Sequence, residues 1–194
     1  MNERKTFFAS DHHFFHANII KYANRPFNNI WSMNEILIER HNSVVSPKDI
    51  VYFVGDFAFT SDEEEIIGIL KRLNGEKHFI AGNHDKGMFK DSIMKQFQSF
   101  SRSPFKEIYV QDPSARGGKQ SITLCHYALR VWNKSHHGAF HLYGHSHGSL
   151  PDDPNSRSFD VGVDCWDFTP VSYEQVKEVM AKKNWKPIDH HGGD

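Results

Sequence analysis

Five places in the sequence set down metal-ligand side chains just where a short apolar run stops: Asp11 and His13, Asp56, Asn83 followed by His84, His126, and His145 with His147. Setting His84 aside, the donors are two carboxylates, one amide oxygen and four imidazoles. That is too many for one ion and suits two ions sharing a carboxylate. Mixed oxygen and imidazole donors without thiolate point to Mn, Fe, Zn or Ni, not to Ca or Cu(I). Two such ions about 3.5–4 Å apart are the usual device for polarising a phosphoryl group and generating a bridging hydroxide at neutral pH. The amide of Asn83 is neutral, which leaves the centre positive enough to receive a phosphate.

Positioning these groups falls to strands. Residues 6–10, 49–54 and 77–81 read as buried strands, and each delivers one ligand group at its C-terminal end. Ligands outside the carboxyl ends of strands are where an open α/β sheet places its site. In extended backbone i and i+2 share a side, which pairs Asp11 with His13 and His145 with His147 and turns His12 away. Gly144 lets the backbone pack close to whatever is bound. Residues 17–22 predict a short helix. Ser32 with Glu35 forms a capping-box pattern opening a helix with Met33, Ile36, Leu37 and Val44 on one face. Thr60 with Glu63, or Ser61 with Glu64, starts the next, closed by Asn74 and Gly75. Strand, helix, strand, helix, strand is the order of a mostly parallel sheet.

The second half changes texture. Strands are expected at 107–110, 121–125, 140–143 and 159–163, and Ser172 with Gln175 caps a final helix carrying Val176, Val179 and Met180. The reading is one α/β domain over residues 1–188, more antiparallel in its second half, with 189–194 a disordered tail. Phe7, Phe8, Phe53, Phe57 and Phe59 are expected in the core, with Phe57 or Phe59 within reach of a leaving group. His41, His78, His136, His137 and His141 are expected to be structural, and so are Asp160 and Asp164 unless they hold a ligand imidazole.

Composition narrows the function. A net charge of −1 offers no basic footprint, which argues against nucleic acid as an obligate partner. Two cysteines make no disulfide framework. No apolar run approaches transmembrane length and the opening residues are too short for a signal peptide, so no membrane partner and a cytoplasmic location are expected. Oligomeric state stays open.

Asp-x-His, Gly-Asp, Gly-Asn-His-Asp, a separate His and Gly-His-x-His, in this order over Asp11 to His147, resemble the calcineurin-like metallophosphoesterase signature. The run from Asp11 through Phe14, Phe15, His16 and Asn18 to Ile20, with Arg25, Pro26 and Phe27, resembles a small bacterial and phage branch of predicted phosphoesterases. The resemblance implies a two-sheet mixed β-sandwich flanked by helices. It implies that Asp11, His13 and His147 hold a first metal, that Asp56 bridges, and that Asn83, His126 and His145 hold a second, Mn²⁺ being the expected ion. His84 would be the catalytic histidine, protonating the leaving oxygen or stabilising phosphoryl charge, with Asp85 orienting it or capping the next helix.

In the superfamily's protein phosphatases the Gly-Asp motif continues to an Asp-Arg pair. Here Phe57, Ala58 and Phe59 follow Asp56, which tells against phosphoprotein substrates. The oxyanion clamp then falls to other groups, and Arg25 and His16, in the loop after the first strand, are the candidates for substrate binding. The implied activity is hydrolysis of small phosphoesters, phosphodiesters favoured because nothing in the chain is left to build a cap. Two rivals stand beside it. A non-catalytic scaffold of this fold could lose ligands freely, whereas this chain keeps every one. A nuclease would want a basic groove.

Overall fold

The computed structural model describes residues 4–189, so the tail expected at 189–194 lies, apart from Asp189, outside the described residues. β1 (Thr6–Ala9), β2 (Ile50–Val54) and β3 (Glu76–Ile80) pair in parallel, Phe7 opposite Val51 and Phe53 opposite Phe79. β4 (Ser99–Ser101) extends this sheet beyond β3, and β9 (Val171–Ser172) closes the other edge antiparallel to β1. The second sheet runs β5 (Phe105–Gln111), β6 (Lys119–Cys125), β7 (Phe140–Tyr143), β8 (Ser158–Asp160). Two mixed sheets flanked by helices make the α/β sandwich expected from the resemblance.

The first sheet is covered on both faces, so its strands read as unbroken apolar runs rather than alternating ones. Phe7, Ala9, Val51, Phe53 and Phe79 point outward to α2 (Ile30–Val44) and α3 (Glu63–Arg72), meeting Met33, Leu37, Ile66 and Leu70. Phe8, Val54 and Ile80 point inward, where Ile122, Leu124 and Leu142 of the second sheet and Val176 and Met180 of α5 (Tyr173–Ala181) complete the inter-sheet layer. Burying each of these large side chains is worth about 1.5–3 kcal/mol.

Several local expectations shift. The cap of α2 is Asn29, with Ser32 in the third helical position returning a bond to the Asn29 N–H, so Ser32 closes the box from the other side. Asp62 caps α3, its carboxylate accepting from the Glu64 and Glu65 N–H groups, because the helix begins only at Glu63. Val44 is exposed at the end of α2, where the buried face consists of Met33, Asn34, Leu37, Ile38 and His41. The short helix expected at 17–22 narrows to α1 (Ile19–Tyr22), and α4 (Asp91–Met94) and β4 carry no pattern long enough to predict. In the second sheet only β5 and β6 are antiparallel; β6–β7 and β7–β8 are parallel. These parallel neighbours bring the C-terminal ends of β6 and β7 to one rim. Ser172 with Gln175 caps α5 as expected.

Candidate metal centre

Loops from both sheets meet at that rim and are laced by their own backbone. The Asp11 N–H donates to the Gly55 carbonyl at 3.1 Å, the His13 N–H to the Asp56 carbonyl at 3.0 Å, and the Gly144 N–H to the His126 carbonyl at 3.1 Å. The hydroxyl of Ser10 donates to the Val54 carbonyl at 2.7 Å. The Asp11 carboxylate accepts the His145 N–H at 2.9 Å, joining the two sheets directly. Close approach explains two glycines. A Cβ on Gly82 would stand 2.6 Å from the Asp56 nitrogen, and one on Gly144 2.6 Å from an Asp11 carboxylate oxygen.

The result is two ligand clusters. Asp11, His13 and His147 form one and Asp56, His126 and His145 the other, each with its donor atoms within 4.8 Å of one another. Between them sits Asp56, whose Oδ2 lies 3.6 Å from His13 Nε2 and 3.4 Å from His126 Nε2. Asn83 Oδ1 is 3.0 Å from His126 Nε2 and so belongs with the second cluster. The expectation that His145 and His147 face one spot by strand periodicity is corrected: they fall in different clusters. The backbone gives the reason. Asp11 (φ 59°), His13 (52°), Asp56 (52°), His145 (70°) and His147 (47°) all take left-handed conformations, so no extended alternation applies. Asp11 and His13 do share a cluster, but through these turns.

These residues fit divalent ions. His13 Nε2 is buried without a hydrogen-bond partner, a lone pair with nothing to accept from. Burial holds the His13 imidazole neutral, pushed down to about 3, which is the state that can ligate. Burial works against ionising Asp56, yet the His126 hydrogen bond and charge outweigh it and hold the carboxyl at about 2. His126 directs Nδ1 at the Val54 carbonyl at 2.9 Å, leaving Nε2 for the centre. His147 directs Nδ1 at Asp164 Oδ2 at 2.7 Å, with the same consequence for its other nitrogen. Such an outer hydrogen bond sets the tautomer and the ring plane of a ligand.

Arg25 stands elsewhere than expected. Its guanidinium is fully buried and forks onto Asp164, Nε to Oδ1 at 2.7 Å and Nη2 to Oδ2 at 2.8 Å. It also donates to the main-chain carbonyls of Asp11 at 2.6 Å and His12 at 2.8 Å. The group proposed for substrate is thus turned inward as a clamp on the first ligand loop, because Asp164 offers it a buried partner. His16 does line the cleft, and its Nδ1 lies 3.3 Å from His13 Nδ1. His84 lines the cleft as well, after a sharp turn at the end of β3, and its N–H donates to Asp56 Oδ1 at 2.9 Å.

Three residues matter more than their sequence context suggested. Asp85 neither orients His84 nor caps a helix. Its buried carboxylate accepts from the N–H groups of Asp56 (2.6 Å), Phe57 (2.8 Å) and Gly82 (2.7 Å), binding the second and third ligand loops together. Asp164 links Arg25 to His147, and Asp160 accepts from the Gly148 and Gly162 N–H groups. Only their position near a strand end hinted at this. Of the remaining histidines, His41 and His141 are buried and bonded to main chain, at Asn74 and Thr123, and His78 bonds Ser99 and Glu76. Phe59, expected in the core, is 49% exposed on the cleft wall.

The chain belongs to the calcineurin-like phosphoesterase family, which matches residues 4–172. It is 34% identical over 188 residues to an uncharacterized protein of Methanocaldococcus jannaschii, covering 94% of each chain. A protein of unknown function from Aquifex aeolicus superimposes with a TM-score of 0.67 over 91% of this chain and 100% of its own, at 22% identity, which establishes the shared fold. Family membership implies metal-dependent hydrolysis of phosphoesters, and the two ligand clusters supply a place for the metal. Among the described residues no helix is long and apolar enough to cross a membrane.

Proposed function

We propose that this protein hydrolyses small phosphoesters, phosphodiesters in preference, with two divalent ions held at the paired clusters and Mn²⁺ as the working metal. The observation carrying the reading is Asp56 Oδ2, within 3.6 Å of a ligand nitrogen from each cluster. One carboxylate placed between two donor sets is the arrangement two adjacent ions require. Such a pair, when bound, polarises the phosphoryl group and lowers the pKa of water.

The chain's own residues account for the rest. Hydrolysis joins a water oxygen to phosphorus and breaks the bond to the ester oxygen, which leaves with a proton. In this reading His84, which lines the cleft beside Asp56 and belongs to neither cluster, gives that proton. Asp85 and Arg25 hold the ligand loops rigid from below. The cleft, about 780 Å³, has no cap over it among the described residues and admits an ester with groups on both sides of phosphorus.

The test is an aryl phosphodiester assayed with metal-stripped protein and after adding back divalent ions singly. No turnover when stripped and recovery with Mn²⁺ is the expected result. Full activity in excess chelator, with metal content verified as nil, would sink the mechanism.

A further inference from the structure

One wall of the cleft is aromatic and stands open. His16 and Phe59 stack with ring centroids 4.1 Å apart and planes within 19°. Tyr22 meets His16 edge-on at 6.2 Å, and Phe59 meets His84 at 5.5 Å. Tyr22 is 75% exposed and Phe59 49% exposed. Folding alone explains neither, because the core beneath is already filled by Phe14, Phe53 and Phe57, all fully buried. Nor is the wall remote from the chemistry: the same cavity is lined by His13, Asp56, His145 and His147.

Beside the rings, Asn18 and Asn24 line the cleft, and neither amide has a side-chain hydrogen bond among the described residues. Rings that present π-faces next to free amide donors and acceptors match one chemical class, a planar heterocycle with polar edges. Aliphatic groups would use the apolar area but leave the amides idle. A long polyanion would need a basic groove, and this cleft is lined by no lysine or arginine.

We propose that this wall binds a nucleobase, so that the phosphoesters processed here are small nucleotides. The base adds to the His16 and Phe59 stack, with Tyr22 at its edge, while its phosphate lies toward His84 and the ligand clusters. This rests on the phosphoesterase reading for the chemistry, though not for the binding. Stacking of a base on an aromatic side chain is typically worth about tenfold or more in affinity.

Two esters with the same nitrophenyl leaving group test it, one carrying thymidine and the other methyl as the retained group. Wild-type protein with Mn²⁺ should prefer the thymidine ester in kcat/KM by about tenfold or more. The double variant Tyr22→Leu, Phe59→Leu keeps apolar bulk at two exposed positions and should lose that preference through KM, the thymidine ester falling further than the methyl ester. Phe59→Tyr alone should retain it. Equal handling of both esters by wild type, or equal slowing of both in the double variant, overturns the proposal. If neither ester is cleaved, the phosphoesterase reading fails and calorimetry of thymidine monophosphate with metal-free protein decides: weaker binding by the double variant upholds the wall, and unchanged or absent binding rejects it.

Discussion

Replacing Arg25 by Met separates two roles for one residue. As a substrate clamp, Arg25 would be lost at little expense to the fold. As a buried strut, its removal leaves the Asp164 carboxylate, 8% exposed, facing only His147, and strips two main-chain carbonyls of their donors. Breaking a buried ion pair by removing one partner typically destabilises by about 3–5 kcal/mol. Each orphaned buried acceptor adds about 1–3 kcal/mol, although Met packing and local relaxation recover part of it. A net loss of about 4–6 kcal/mol is therefore expected, or roughly 10–20 °C in Tm for a chain of this size. Arg25→Lys should fall between, since an ammonium cannot make the fork. Thermal and urea unfolding of the metal-stripped protein reads the effect without interference from bound ions. Metal content should also fall, because the Asp11 and His12 carbonyls fix the loop that carries His13. A variant melting within about 2 °C of wild type, with only KM raised, would refute the strut.

Other outcomes follow from the same geometry. Asp56→Asn should reduce occupancy at both ion positions, whereas Asn83→Ala should weaken chiefly the one beside His126; metal analysis giving equal losses in the two variants would contradict the placement of Asp56. His84→Ala should keep its metal and lose about 10²–10⁴-fold on an alkyl ester, and less on a nitrophenyl ester whose leaving group scarcely needs a proton; loss of metal would make His84 a ligand. His41 and His141 are held neutral by burial, at about 4 against 6.5 unfolded. The unfolded chain takes up those protons first, so stability is complete above pH 6.5 and drains as pH falls to about 4, by about 3 kcal/mol per histidine. Urea midpoints across that window should drop less in His41→Gln than in wild type, and an identical drop would remove His41 from the account.

Much of this was readable from residue order. The alternation of apolar strands with amphipathic helices announced β1, β2 and β3 as parallel neighbours, and the ligand residues stood at their ends. What escaped depends on where loops run in space. Arg25 looked available because nothing local says that Asp164, 139 residues later, waits beneath it. Phe59 looked like core because an apolar residue two places after Phe57 carries no mark of facing a cleft. The caps of α2 and α3 slid because Asn29 and Asp62 compete with Ser32, Thr60 and Ser61 for the same role, and the path of the preceding chain chooses among them. The second half reads as more antiparallel because the connections returning β6 to β7 and β7 to β8 hold no helix longer than one turn, so no βαβ rhythm is there to see.

The left-handed turns at Asp11, His13, Asp56, His145 and His147 concentrate backbone strain at the centre. A non-glycine residue in that region is disfavoured by about 1–2 kcal/mol, less for Asp and His than for branched side chains. Five together approach the net stability of an ordinary domain. Glycine at Asp11 or His145 would ease the main chain while deleting a ligand, so a search for thermostable variants of this protein would drift toward inert ones. Selection for heat resistance and selection for metal thus pull these five positions in opposite directions.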